Sequence, residues 1–202
     1  MKRKRPRAKH FAVIGAGIAG IACARTLVQA GHQVTVFEKS HSAGGRMSTR
    51  SSDFGTFDHG AQYFTVRDPR FAQALATSPG ICKPWSANTV RVLDEHGRVA
   101  AAGLPAKEAH FVAVPGMNAL VKHWAKPIQA NVELTTKVTK IERDALNPEQ
   151  WQLRTSGAED SQRVYSGFDA VLIAIPSEQA HSLLQTSKQS IELIKAVRKA
   201  SV

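Results

Sequence analysis

Three glycines and one acid carry the most specific chemistry in this chain. Gly15, Gly17 and Gly20 stand in a G-x-G-x-x-G spacing, and Glu38 follows 18 residues after the last of them. Bare backbone suits the close approach of a phosphate, and a carboxylate suits the hydroxyls of a ribose. In this reading Gly15 permits a tight turn, Gly17 lets the backbone approach a pyrophosphate, and Gly20 lets a helix pack on a sheet. Ile18 and Ala19 open that helix, so their amides have no carbonyl partner within it and join the candidate phosphate site. Glu38, with Lys39 beside it, takes the ribose end of a dinucleotide.

The elements that must position these residues are legible around them. Phe11 to Ile14 is a short apolar run that predicts a buried strand. A helix of small residues is expected to about Ala30, with a turn at Gly31-His32 and a second strand over Val34 to Phe37, ended by Glu38. A Gly-rich turn is the bland alternative for the glycines. The strand before them, the helix after them and the terminal acid agree on a dinucleotide-binding βαβ unit and an α/β fold.

Length and composition set the frame. The chain has 202 residues, enough for one to one and a half domains at about 100–200 residues each. Its 43% apolar content suffices for a core. No run approaches the roughly 18 apolar residues of a membrane span, so no membrane partner is expected. Cys23 and Cys82 form no C-x-x-C pair, which fits a reduced, cytoplasmic setting. No metal-ligating cluster is evident. Of the net charge of +11, Lys2, Arg3, Lys4, Arg5, Arg7 and Lys9 supply six, ahead of the first strand. Binding of nucleic acid or of an anionic membrane, or a role as an address, are the sharper interpretations of this arm and a solvated, disordered tail the blander one. The tail is preferred, since the arm lacks aromatic residues for base stacking.

Lys39 to Ser52 is expected to be loop. Within it, Ala43-Gly44-Gly45-Arg46-Met47 combines bare amides with a phosphate-matching guanidinium. Gly45, Arg46 and Met47 join the candidate site, where they meet the same pyrophosphate from its other side. A flexible surface loop is the alternative for this stretch taken alone. A G-G-R after a G-x-G-x-x-G resembles the flavoprotein group of amine oxidases, phytoene desaturases and renalase. The resemblance implies FAD in preference to a nicotinamide cofactor. Phe57 to Thr65, F-D-H-G-A-Q-Y-F-T, is similar to a signature of the bacterial renalase-like oxidoreductases of that group. It implies that Gly60 and Ala61 let a flavin ring approach and that Gln62 bonds to it. Asp58 and His59 read as a turn pair making local bonds, with His59 a neighbour of the site; no catalytic side chain is assigned.

Further on, Asp68-Pro69 predicts an N-cap and first helical residue for a helix over Arg70 to Ala76. Thr89 to Leu93 and Arg98 to Ala102 predict a hairpin. Phe111 to Val114 is extended, and Pro115 to Asn118 turns into a helix through Leu120, Val121 and Trp124. Pro84-Trp85 and the V-P-G-M phrase also match the family, with Trp85 and Trp124 read as core aromatics. Val132 to Thr135, Lys137 to Arg143, Trp151 to Thr155 and Arg163 to Tyr165 alternate as a β-meander. By resemblance Val138 holds the adenine through its backbone. Ala170 to Ile175 predicts a buried parallel strand returning to the first sheet, and Glu178 to Leu184 and Ser190 to Lys199 predict helices.

The expected organisation is a basic tail (1–8), an FAD-binding domain in two parts (9–67 and 127–176) and a substrate-domain insertion (68–126). An incomplete second substrate segment follows (177–202). The family's closing G-D segment is not matched, so a C-terminally truncated member is expected. The resemblance implies an FAD-dependent oxidoreductase. It passes a hydride from a reduced nitrogenous small molecule, an amine or a dihydronicotinamide, to flavin, which oxygen or another acceptor reoxidises. The alternatives are an NAD(P)-binding oxidoreductase and an inactive nucleotide-binding remnant with a nucleic-acid-binding arm.

Overall fold

The computed structural model describes residues 7–86, 92–101, 109–157 and 161–200. Most of the basic arm and the outer ends of the expected 89–102 hairpin lie outside these residues. The chain forms two compact units, one from residues 1–45 and 124–202 and the other from residues 46–123.

The first unit begins with β1 (His10–Ile14), α1 (Ile18–Gln29) and β2 (Gln33–Phe37). The two strands are parallel, with Phe11 opposite Val34 and Ile14 opposite Phe37. Ala12, Val13, Val36 and Phe37 are all buried. Successive burial of Ala12, Val13 and Ile14 explains why β1 reads as an apolar run, while β2 alternates, with Gln33 exposed and Thr35 half-buried around the buried Val34 and Val36. Gly20, Ile21 and Ala24 form the buried stripe of α1.

The second unit opens with a hairpin where a loop was expected. β3 (Thr49–Ser52) pairs antiparallel with β4 (Gly55–Asp58). β3 is made of Thr, Arg and Ser, three of its four residues are exposed, and no apolar alternation betrays it. β5 (Phe64–Thr65) follows, then α2 (Pro69–Ala76). The Asp68 carboxylate caps α2 by accepting from the Arg70 N–H at 2.8 Å, as the Asp-Pro pair predicts. β6 (Cys82–Pro84) was not foreseen. β7 (Val92–Leu93) and β8 (Val99–Ala101) form the described part of the hairpin. β9 (His110–Ala113) lies between β5 and β6 in a three-stranded antiparallel sheet. Phe64 packs on Phe71 and Phe111 on one face of it, with ring centroids 5.8 and 6.0 Å apart. Tyr63 and Trp85 stack on each other at 5.1 Å, so Trp85 is half-buried in an aromatic cluster with His110. α3 (Asn118–Ala125) carries the buried Leu120, Val121 and Trp124.

The chain then completes the first unit. A 3-10 turn (Lys126–Asn131) leads to β10 (Val132–Glu133), which is not a meander strand as its sequence suggests. It runs parallel to β2, Val132 opposite Val36, and sits at the edge of the first sheet. The meander is β11 (Lys137–Arg143), β12 (Trp151–Ser156) and β13 (Gln162–Phe168). β14 (Ala170–Ile173) returns parallel to β1, giving the order β10-β2-β1-β14. Its residues are half-buried, where full burial was expected, because it has a strand neighbour on one side only among the described residues. α4 (Ser177–Thr186) and α5 (Ile191–Lys199) close the chain. The core joins Ala12, Ile14 and Phe37 of the parallel sheet to Val138, Ile141, Leu153 and Phe168 of the meander and Leu183 of α4. This is an α/β, Rossmann-like layering around a parallel sheet. Among the described residues, no helix is long and apolar enough to cross a membrane.

Candidate dinucleotide-binding site

The loop from β1 into α1 is fixed from several directions. Gly15 donates its N–H to the Phe37 carbonyl at 2.8 Å and has φ +105°. A Cβ there would lie 2.6 Å from the Ala174 carbonyl oxygen. A Cβ on Gly20 would overlap the Gly15 carbonyl. The fold itself therefore requires glycine at both positions. Gly17 is different. It is the N-cap of α1 with φ −73° and ψ 178°, backbone that any residue adopts. The nearest atom to a Cβ there is the Gly45 Cα at 3.9 Å. Protein packing leaves this space open.

Ile18 is half-buried and Ala19 exposed at the start of α1. The first intrahelical bond runs from the Ile21 N–H to the Gly17 carbonyl at 3.0 Å. The Ile18, Ala19 and Gly20 amides precede it, at the positive end of the helix, and the first turn carries no acid.

The second glycine loop comes to the same place. Gly44 donates its N–H to the Ala16 carbonyl at 3.0 Å, and Gly17 and Gly44 form an isolated parallel bridge. Gly45 has φ +54°, and a Cβ on it would be 3.0 Å from the Gly17 Cα. The exposed Arg46 and the buried Met47 follow in a short 3-10 turn, Gly45–Met47.

Glu38 ends β2, and its residue is only 7% exposed. Oε2 accepts the Ala16 N–H at 2.8 Å, and Oε1 accepts the Ser40 N–H at 2.8 Å. The Glu38 peptide is held by the Glu133 carbonyl and the Thr136 N–H. These amide partners were not foreseen, since they follow from the packing of three loops and not from spacing. Lys39 is exposed and donates to the Gln179 Oε1 at 3.2 Å. Val138 stands on β11 opposite Thr155, its side chain buried in the core, next to a register shift between Val138 and Lys140.

Gly60, Ala61 and Gln62 lie in the second unit between β4 and β5. The Ala61 N–H donates to the Arg46 carbonyl at 2.8 Å, and a Cβ on Gly60 would overlap that carbonyl. Gly60 thus has a packing reason to be glycine whatever binds beside it. His59 is exposed, with Nε2 3.2 Å from the Ser48 hydroxyl. Asp58 does not make the purely local bonds expected of a turn residue. Its Oδ1 accepts the Thr49 hydroxyl at 2.6 Å and the Met117 N–H at 2.9 Å, 59 residues along the chain. The Thr49 hydroxyl accepts in turn from the Asn118 N–H at 3.1 Å. Asp58 and Thr49 therefore organise the start of α3. Among the described residues, no group of three His, Cys, Asp or Glu side chains is placed to hold a metal ion.

Residues 13–77 match the family described as an NAD(P)-binding Rossmann-like domain. Over 58 residues the chain is 51% identical to a protein of Staphylococcus haemolyticus, the 4,4'-diapophytoene desaturase (4,4'-diaponeurosporene-forming). It is 51% identical over the same length to the protein of that name from Staphylococcus aureus strain Newman. The shared stretch covers 29% of this chain and only 12% of either desaturase.

Proposed function

We propose that the chain binds the adenosine-pyrophosphate part of FAD at the N-terminus of α1 and belongs to an FAD-dependent oxidoreductase. One observation carries the nucleotide assignment. Gly17 is glycine although its backbone and its surroundings would accept a side chain, while Gly15 and Gly20 are explained by the fold alone. A ligand lying against Gly17 accounts for that difference. The site fits a pyrophosphate, with bare amides, an open cradle and no acid in the first helical turn.

In this role Gly15, Gly17, Ile18, Ala19 and Gly20 line the pyrophosphate, together with Gly45, Arg46 and Met47. Glu38 and Lys39 lie toward the ribose. Val138 serves the adenine, and Gly60, Ala61 and Gln62 the flavin ring. Bound FAD supplies hydride acceptance and reoxidation. The residues of this chain bind it, neutralise its phosphates and keep it oriented. The substrate class proposed is a reduced nitrogenous small molecule, an amine or a dihydronicotinamide, with oxygen or another acceptor completing turnover. The 51% identity over 58 residues with proteins named as desaturases supports a redox role.

A second reading, an NAD(P)-binding oxidoreductase, draws on the description of the family that matches residues 13–77. Parallel titrations with FAD, NADH and NADPH, followed by fluorescence, separate the two. Saturable binding of FAD at concentrations where neither nicotinamide dinucleotide binds supports the flavin assignment. The reverse order overturns it.

A further inference from the structure

We infer that Glu38 is a positioning residue whose carboxylate shapes the phosphate loop before any nucleotide arrives, in addition to its proposed contact with ribose. The inference rests on the nucleotide reading above and deepens it. Three loops meet at Glu38, those following β1, β2 and β10. Oε2 takes the Ala16 N–H at 2.8 Å, inside the G-x-G-x-x-G itself. Oε1 takes the Ser40 N–H at 2.8 Å. The Glu38 N–H goes to the Glu133 carbonyl at 2.9 Å, and its carbonyl receives the Thr136 N–H at 2.8 Å. Ser40 is tied to the third loop by the Thr135 N–H at 2.9 Å.

Ala16 is the hub this arrangement holds. It is fully buried, so its amide has no water to turn to. Its N–H is held by Glu38, and its carbonyl is held by Gly44 at 3.0 Å. The peptide between the first two glycines is thus clamped by the acid on one side and the second glycine loop on the other. A carboxylate offers about four lone-pair sites, so two amides leave capacity for ribose hydroxyls. A bond from a backbone N–H to an ionised carboxylate is among the stronger ones available to a loop. Glutamine cannot replace it fully: it keeps one acceptor oxygen, and its NH2 would face an N–H donor.

The test uses ADP and 2′,3′-dideoxy-ADP as probes, by calorimetry, on the wild type and Glu38→Gln. If Glu38 positions the loop, the substitution weakens dideoxy-ADP by about tenfold, the scale of one lost charge-assisted bond, and weakens ADP by at least as much. If Glu38 acts only through the ribose, dideoxy-ADP binds both proteins equally, and the inference fails. A second readout needs no ligand. In the ligand-free wild type, the Ala16 and Ser40 amides exchange hydrogen slowly; exchange at the free-peptide rate overturns the inference. In Glu38→Gln both amides speed up, while the Ile141 amide, held by the Ser187 hydroxyl at 2.9 Å, keeps its rate. Equal acceleration of all three would mark general loosening and count against a positioning role. Failure of wild type to bind ADP would overturn the nucleotide reading alone, with the exchange result still deciding the role of Glu38 in the loop.

Discussion

Gly17 and Gly44 pair as an isolated parallel bridge, joining the glycine loop after β1 to the glycine loop after β2. The two loops are 27 residues apart in sequence, yet they form one wall at the positive end of α1. A lone glycine loop is a turn with free amides. Two of them in register beside a helix N-terminus make a cradle of backbone that a pyrophosphate can enter from one side.

The three glycines of the motif should separate on substitution. Gly17→Ala should cost only about 0.5–1 kcal/mol of stability, the preference for glycine over alanine at an N-cap, since neither its backbone nor its surroundings resist a methyl group. ADP affinity should nonetheless fall by at least about tenfold, the methyl lying where the phosphate approaches. Gly15→Ala and Gly20→Ala should each cost about 1–3 kcal/mol or more of stability, because the added carbon meets a backbone carbonyl. Urea unfolding and calorimetric titration of the three variants check this pattern. Equal behaviour of all three would contradict it.

Asp58 should prove structural. Its Oδ1 satisfies the Met117 N–H, and Met117 is fully buried. Asp58→Ala strands that donor and the Thr49 hydroxyl, so a loss of about 1–3 kcal/mol is expected by urea unfolding. Gly116→Ala should destabilise the same turn, because a Cβ there would lie 2.7 Å from the Thr49 methyl. A stability of Asp58→Ala equal to that of the wild type would remove the assignment.

Acid should act through Glu142 on the meander. Its carboxylate bonds to Lys140 at 2.7 Å, Gln152 at 2.7 Å and Arg154 at 2.5 Å. The Lys140 bond, followed by Gln152 and Arg154, lowers its pKa from the ordinary 4.5 to about 2. A pKa lower in the folded chain than in the unfolded one contributes stability that is complete above the unfolded value and is lost as pH falls through the folded one. The stability advantage of wild type over Glu142→Gln should therefore be constant above about pH 5 and shrink between roughly pH 4.5 and 2. Chemical unfolding across that range measures it. An advantage independent of pH would contradict the assignment.

Much of this molecule was legible from the chain alone, and the exceptions share a cause. β1, α1 and β2 announce themselves because β1 is a run of buried apolar residues, β2 sets Val34, Val36 and Phe37 among polar neighbours, and the helix opens on glycine. Asp68-Pro69 and Ser190 mark helix starts through local bonds, which sequence can show; Ser190 accepts from the Leu193 N–H at 3.3 Å. Val132–Glu133 reads as a meander strand because it continues the pattern of its successors, while its partner is β2, nearly 100 residues earlier. β3 has no apolar face to reveal it, and β6 is three residues ending in proline. At the candidate site, type and spacing single out the glycines and Glu38, and the fold brings the two glycine loops and Glu38 together. The bonds from Glu38 to Ala16 and Ser40, and from Asp58 to Met117, depend on which loops meet after folding, and no local pattern encodes that.

The most direct test of the nucleotide assignment is an absorption spectrum of the purified chain after incubation with FAD and desalting, set beside that of Gly17→Ala treated identically. The account predicts a retained flavin band in the wild type and a diminished one in the variant, with the two proteins equally folded by circular dichroism. A folded wild type that leaves the column colourless and binds no ADP, or a variant that retains flavin as well as the wild type, would contradict it.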